Sequence, residues 1–309
     1  MLHIRPTVSF VVTVYNKAPH LPAVLDAIAG QQGDFARQCV FVDDGSTDDS
    51  LAILRARTAS WADTVVVTQP NSGPSQASNA GLARATGDYV KFVDGDDVLA
   101  PDATARLLDV LARTNADLAF GKGVQGEAPA DSAEAEDVAV PDALCFVLTS
   151  PPFNLSQILV RRAACSDAGG FDQRVFIQDY PFLLRLAPGH RFAGTSAVVC
   201  RFPASGGDRL TDDHANMLFH ANLSVWLFCR DNALPGDMLR LAAARCAGRA
   251  WLYAKRHRGQ GMLSPEFRAF ACERLLPSRT RDAALARIRA SLPAFGEAPL
   301  ARYRALLDS

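Results

Sequence analysis

Residues 8–17 read VSFVVTVYNK, and the first seven of them, Val8 to Val14, are short, apolar and rich in β-branched side chains. That is the pattern of a strand covered on both faces in a parallel sheet, because a half-exposed strand would alternate polar with apolar. Apolar residues at helical spacing follow at Leu21, Val24, Leu25 and Ile28. A second strand, Cys39 to Val42, stops at Asp43-Asp44-Gly45-Ser46, and Leu51, Ile53 and Leu54 belong to the next helix. A third strand at Thr64–Thr68, a loop from Gln69 to Pro74, a helix over about 75–85 and a fourth strand at Tyr89–Val93 continue the rhythm. Such alternation predicts a doubly wound α/β fold, a Rossmann-like and mostly parallel sheet flanked by helices, with ligands beyond the carboxyl ends of the strands.

Further along, Ala105, Leu108, Leu111 and Ala112 predict a helix, Asp117–Gly121 and Asn154–Val160 predict strands, and Asp179–Leu186 predicts a helix. The stretch 125–142 is rich in Ala, Asp, Glu and Pro and reads as a surface loop. From about residue 210 the β signal fades and Leu, Ala and Arg dominate, so the expected division is a catalytic domain over 1–209 and a helical C-terminal appendage over 210–309. At 49% hydrophobic, 309 residues can bury one large core or two modest ones. The 32 basic and 33 acidic residues nearly cancel, which gives no sign of a nucleic-acid binder. Seven scattered cysteines fit neither a disulfide framework nor a zinc site and suggest a reducing, cytoplasmic setting. Neither a secretory leader after His3 and Arg5 nor a membrane-spanning apolar run is legible.

Four polar groups fall at strand ends. Thr13 and Tyr15 alternate along an extended chain, so a hydroxyl and an aromatic ring share one side and could hold a flat base; alternatively Asn16 caps a turn. Asp43 and Asp44 end an apolar strand, where a carboxylate can accept from an imide N–H of a base or from ribose hydroxyls; Ser46, Thr47 or Asp48 can instead cap the following helix. Asn71, Gly73, Ser75 and Asn79 lie in a loop and a small-residue helix, where close packing on the sheet and contact with an anion are both consistent readings. Asp94, Asp96 and Asp97 crowd around Gly95; their repulsion calls for water or a cation, and hard oxygen ligands suit Mg²⁺ or Mn²⁺, whereas a solvated acidic turn is the plainer alternative.

Taken in order, VSFVVTVYNK, VDDGSTDDS, NSGPSQASNAGLARATGDYVKFVDGDD and GGFDQRVFIQDYPFLLRL resemble the family 2 glycosyltransferases of the GT-A fold, over about residues 7–200. The resemblance implies a donor-nucleotide site of Thr13, Tyr15, Asn16, Asp43, Asp44, Asn71, Gly73, Ser75, Asn79, Asp94, Gly95 and Asp96. It implies a DxD pair at Asp94 and Asp96, with Asp96 and Asp97 standing equal as direct ligands of Mn²⁺ or Mg²⁺. Asp179 matches the family's general base in an inverting transfer from a nucleotide diphosphate sugar, first a UDP-sugar, to a hydroxyl of a saccharide or lipid-linked saccharide acceptor. Bacterial surface polysaccharide or lipopolysaccharide synthesis is the setting implied. Two departures stand out: Ser78 replaces an Arg common before the Asn of the NxGxxxARNxG segment, and Gln178 replaces the usual Glu before the base. They keep open a silent sugar-nucleotide-binding scaffold; a nucleotidyltransferase would want a basic, Gly-rich loop near the start. Pro152-Phe153-Asn154 would face the acceptor. His214 and His220, with Asp212 and Asp213, could assist a phosphate or metal, or be structural. Over Asp237–Ser309 there are 14 Lys or Arg against 6 Asp or Glu, with Lys255-Arg256-His257-Arg258 clustered, which suits peripheral contact with an anionic membrane, a dimer contact or a solvated face.

Overall fold

The computed structural model describes residues 5–126, 135–150, 153–203, 213–278 and 280–308. The elements are β1 Thr7–Val14, α1 Leu21–Ala29, β2 Ala36–Asp43, α2 Ser50–Thr58, β3 Thr64–Thr68, α3 Pro74–Leu82, β4 Tyr89–Asp94, β5 Val98–Leu99, α4 Ala103–Thr114, β6 Leu118–Gln125, β7 Asp137–Ala139, α5 Ala143–Thr149, β8 Ile158–Arg161, α6 Arg162–Asp167, α7 Asp179–Leu186 and β9 Phe192–Phe202. They are followed by α8 His214–Asp231, α9 Gly236–His257, α10 Pro265–Leu275, α11 Arg281–Ser291 and α12 Glu297–Asp308.

Two compact units result, one from residues 1–143 and 152–205, the other from 144–151 and 206–309. The short stretch 144–151 lies in the second unit, which a single cut after residue 209 does not anticipate. In the first unit, the described residues form a nine-stranded sheet ordered β3-β2-β1-β4-β8-β6-β9-β5, with β7 also on β9. β3, β2, β1 and β4 are mutually parallel, while β8 runs antiparallel to both β4 and β6. Successive residues of β1 face opposite sides. Val8, Phe10, Val12 and Val14 join a core with Leu21, Val24, Leu25 and Ile28 of α1 and Leu107, Val110 and Leu111 of α4. On the other side Gly81 of α3 lies against Val11 and Val42, so closely that a Cβ there would sit 2.3 Å from a methyl of Val11.

Four elements differ from expectation. β9 was not legible, since Gly194, Thr195 and Ser196 interrupt its apolar run; it forms because β5, β6 and β7 all pair with it. β7 shows that the acidic stretch 125–142 is not all loop, although residues 127–134 of that stretch lie outside the described residues. Leu155–Gln157 is a turn of 3₁₀ helix, so the strand expected from Asn154 begins only at Ile158. The helix α6 carried no clear apolar period and was not anticipated.

The second unit is helical among its described residues. Asn222 of α8, fully buried, donates from Nδ2 to Cys246 O of α9 at 3.1 Å and to Ser291 Oγ of α11 at 2.8 Å, joining three helices through one amide. Arg245 of α9 donates to Leu148 O at 3.2 Å and to Thr149 O at 2.6 Å, which seats the stretch 144–151.

In the first unit, α7 is held by aromatic contact. Phe182 stacks on Phe171 with centroids 4.3 Å apart and meets Phe92 of β4 edge-on at 5.7 Å. Phe182→Ala should lower the unfolding free energy by roughly 3–5 kcal/mol, as expected for truncating a fully buried ring; denaturant titration will measure it.

Candidate active site

Parallel register decides which polar side chains meet. Thr13 stands between Val42 and Asp94, and Val14 beside Asp43, so the ends of β1, β2 and β4 bring Thr13, Asp43 and Asp94 to one edge of the sheet. The chain leaving β4 then closes on β1: Gly95 N–H donates to Thr13 O at 3.0 Å. A Cβ at residue 95 would lie 2.9 Å from that oxygen, so glycine is what permits the acidic turn to pack there.

The three neighbouring carboxylates turn to three different donors. Asp94 Oδ1 accepts from Gln178 Nε2 at 3.1 Å, Asp96 Oδ2 from Lys17 Nζ at 2.6 Å, and Asp97 Oδ2 from Asn154 Nδ2 at 3.3 Å. Their expected repulsion is thus relieved partly by the protein, through two amides and an ammonium. Asp97 is completely buried and Asp96 nearly so, at 9% exposure, which breaks the symmetry between them. Beneath lies Lys91, a fully buried cation that sequence reading passed over inside an apolar strand; it donates to Ser156 O and to Ile158 O. Burial pushes its ammonium down to about 8, against the pull of Cys200, Asp97 and Asp94. Burial, followed by the charges of Asp96 and Asp179, raises the Asp94 carboxyl to about 7. Asp179, the first residue of α7, is also raised by burial, although Tyr180 N–H donates to its Oδ1 at 2.8 Å. Asp94, Asp96 and Asp179 therefore form one electrostatic group.

Other expected site residues have mixed positions. Asp43 is buried; its Oδ2 accepts from Ser46 N–H at 3.3 Å, while its Oδ1 has no hydrogen-bond partner among the described residues. Asp44 is occupied otherwise: Oδ1 accepts from Gln69 Nε2 at 2.7 Å and Ser72 N–H at 2.9 Å, and Oδ2 from Gly73 N–H at 2.9 Å. It holds the loop that carries the exposed Asn71 and leads into α3. Asn16, with φ of 51°, accepts from Thr47 N–H at 2.8 Å and so ties β1 to the Asp43–Thr47 turn instead of capping α1. Tyr15 is 45% exposed beside them. Ser75 Oγ, buried in the first turn of α3, has no partner among the described residues. Asn79 grips the chain: it donates to Phe171 O at 2.9 Å and accepts from Phe171 N–H at 2.8 Å. Gly170, with φ of 68°, makes room for that clamp, since a Cβ there would come within 2.5 Å of Asn79 Oδ1. Asn154 likewise caps the Leu155–Gln157 turn and reaches Asp97, and Phe153 stacks on Phe120 at 4.3 Å; Pro152 lies outside the described residues.

The two departures in sequence turn out to be partners. Ser78 Oγ donates to Gln178 Oε1 at 2.8 Å, and the amide's other end donates to Asp94. A neutral hydroxyl–amide pair therefore joins the two positions at which the sequence departs from the family pattern. In the second unit, His220 is 2% exposed against Phe219 and Tyr303, and burial, with Arg302, pushes its imidazole down to about 4, so it is a neutral core side chain. His214 opens α8 with its ring 5.6 Å from that of His257, next to Asp213, which caps the helix by accepting from Asn216 N–H at 3.0 Å; Asp212 lies outside the described residues.

Among the described residues no group of three or more His, Cys, Asp and Glu side chains forms a preassembled metal cage. The donor set is nonetheless of the kind Mg²⁺ and Mn²⁺ use, one or two carboxylates with water and phosphate oxygens completing the shell. A carboxyl raised to about 7 by burial and then by the charges of Asp96 and Asp179 sits where a cation would relieve it.

Asp94 also sets a pH dependence. With a folded value of about 7 against an ordinary 3.8, the unfolded chain loses this proton first as pH rises, so stability falls between those values and levels off above. In metal-free buffer Asp94→Asn should melt several degrees above the parent at pH 8 and level with it near pH 4; scanning calorimetry across pH will decide. For the neutral pair, Gln178→Glu alone should destabilise by placing another carboxylate against Asp94. Ser78→Arg should restore much of that loss in the double variant, with a coupling energy of about 1–3 kcal/mol in a denaturant-based cycle.

Residues 9–135 match the family model described as glycosyl transferase family 2. The chain is 32% identical over 126 residues to a poly(ribitol-phosphate) beta-glucosyltransferase of Bacillus spizizenii, covering 38% of this chain and 20% of the relative. It is 29% identical over 160 residues to succinoglycan biosynthesis protein ExoO of Rhizobium meliloti, covering 50% of this chain and 44% of that protein. The chain thus matches less than half the length of these curated relatives. Among solved structures, S. aureus TarS 1-349 superposes with a TM-score of 0.63 at 20% identity, over 98% of this chain and 88% of that one. The mannosyltransferase PcManGT from Pyrobaculum calidifontis, in complex with GDP-Man and Mn2+, gives 0.63 at 22% identity over 94% and 86%. Residues 9–135 thus resemble glycosyl transferase family 2, and the chain shares the GT-A fold of these solved structures.

Proposed function

We propose that the protein is an inverting glycosyltransferase that moves a sugar from a nucleotide diphosphate sugar to an acceptor hydroxyl. The reading rests above all on the gathering of Asp94, Asp96 and Asp179 into one electrostatic group at the carboxyl edge of a parallel sheet. The free Oδ1 of Asp43 supports a base with an imide or amide N–H, as in uracil or guanine, with Tyr15 available to stack on its face. TarS has been crystallised with UDP and UDP-GlcNAc and PcManGT with GDP-Man, and both fit that requirement; a UDP-sugar is our first choice. Asp44, Asn16 and Asn79 shape this pocket through the loops they hold, while Thr13, Asn71, Gly73, Ser75, Asp94 and Gly95 line its approach.

In the reaction, Asp179 accepts the proton of the acceptor hydroxyl while that oxygen bonds to the anomeric carbon. The bond from that carbon to the diphosphate oxygen breaks on the opposite side, releasing the nucleoside diphosphate. The raised affinity of Asp179 for protons suits a general base working near neutral pH. A Mn²⁺ or Mg²⁺ ion at Asp96 would supply Lewis-acid stabilisation of the leaving diphosphate. Asp96 is the better direct ligand, because Asp97 is fully buried beneath Asn154 and serves to fix the turn. Lys17 meets the same carboxylate and moderates its charge. The relatives named for poly(ribitol-phosphate) and succinoglycan support a part in bacterial polysaccharide synthesis, and our reading is a saccharide or lipid-linked saccharide acceptor met in the cytoplasm. Among the described residues no helix is long and apolar enough to cross a membrane.

A thermal-shift panel of UDP, GDP, CMP, dTDP and their sugars, with and without Mn²⁺, tests the donor site. A ligand at 100 times its dissociation constant adds about 2.7 kcal/mol of stability. Metal-dependent stabilisation by one nucleotide, lost in Asp96→Ala, is expected. Asp179→Asn should keep that stabilisation and slow release of the nucleoside diphosphate by roughly 10²–10⁴-fold. Pyrophosphate as product would assign nucleotidyl transfer instead, and silence across the panel from folded protein would leave a scaffold.

A further inference from the structure

The second unit carries a surface that the transfer reaction leaves unused. α9 ends in Lys255, Arg256, His257 and Arg258, all exposed, and the chain turns through residues 259–263 into α10. That turn is braced. Gln260 N–H donates to Ala254 O at 3.2 Å, Ser264 N–H donates to Gly261 O at 3.0 Å, and Ser264 Oγ accepts from Phe267 N–H at 3.2 Å to cap α10. Trp251 meets Phe267 edge-on at 5.0 Å and joins the two helices below it. Yet Met262 and Leu263 stand in the turn 71% and 83% exposed.

One exposed leucine is ordinary; two adjacent large apolar side chains on a braced turn, with exposed cations in the helix ends on either side, are not. Arg258 is bound to Glu266 at 3.4 Å and to Ala294 O at 3.3 Å. Lys255, Arg256 and the exposed Arg268 form no ion pair among the described residues. A second copy of the turn would set these like charges against each other, and a neutral apolar partner would leave them unanswered. A surface with negative headgroups over an apolar interior answers both.

We propose that the α9–α10 turn docks on an anionic lipid bilayer, with Met262 and Leu263 entering the acyl boundary and Lys255, Arg256 and Arg268 meeting headgroup phosphates. The proposal stands or falls independently of the transfer reaction. The whole chain would be co-sedimented with vesicles of phosphatidylglycerol mixed with phosphatidylcholine, and with phosphatidylcholine alone. Binding to the anionic vesicles at low salt is expected, much weaker on neutral ones. Met262→Ser with Leu263→Ser, and separately Lys255→Gln with Arg256→Gln, should each weaken binding by roughly tenfold or more. All four side chains are exposed, so the melting temperature should hold and report that folding is intact. Absence of binding by the parent chain overturns the proposal, as does an apolar variant that binds like the parent. Light scattering that shows a dimer dissolved by the Met262→Ser, Leu263→Ser variant, with vesicles ignored, would give the turn to self-association and equally overturn it.

Discussion

Carboxylates crowded at a partly dry sheet edge impose the governing constraint on this protein. Three aspartates within four residues, with Asp179 beside them, cannot all hold full charge there unless donors reach them. The chain meets this by sending a donor from a separate segment to each member of the acidic turn: Lys17 from the end of β1, Asn154 from before β8, Gln178 from before α7. The buried ammonium of Lys91 adds a positive charge near Asp94 and Asp97. What remains is an edge whose burial, with the charges of Asp96 and Asp179, raises the Asp94 carboxyl to about 7.

The fold makes that arrangement possible in two steps. Parallel pairing aligns the ends of β1, β2 and β4, which fixes where carboxylates can emerge. Side-chain clamps then fix the loops: Asp44 grips residues 69–73, and Asn79 grips the peptide of Phe171, whose ring belongs to the aromatic group that seats α7. The segments proposed to hold the base and the acceptor are thus coupled through α3.

Much of this was legible in the sequence and some was not, for physical reasons. β1, β2 and β4 declared themselves because they are buried on both faces and β3 by its β-branched run, and the resemblance to family 2 glycosyltransferases lay in the residues around them. β9 did not, because its hold comes from three partner strands and not from its own composition. Chemically apt residues could be found at strand ends, but their partners could not. Ser78 and Gln178 are 100 residues apart, Asn79 and Phe171 92, and nothing local in sequence says that one residue spends its hydrogen bonds on the other. So Asn79 and Asp44, read from sequence as donor-site residues, also fasten loops in a way that the sequence does not announce. Lys91 offered the one available signal, a charge within a run of apolar residues, which in a buried strand implies a buried counter-charge.

The stretch 144–151 has a consequence for how the chain emerges during synthesis. It belongs to the second unit, yet Arg245, which bonds to its carbonyl at Leu148, is added 97 residues later. At about 5–20 residues per second that is an interval on the order of 5–20 s. Throughout it Val147 and Leu148, buried in the finished protein, are on the growing chain before the helix that receives them exists. β8 and β9 are thus complete on the growing chain while this apolar stretch still lacks the arginine that bonds to it.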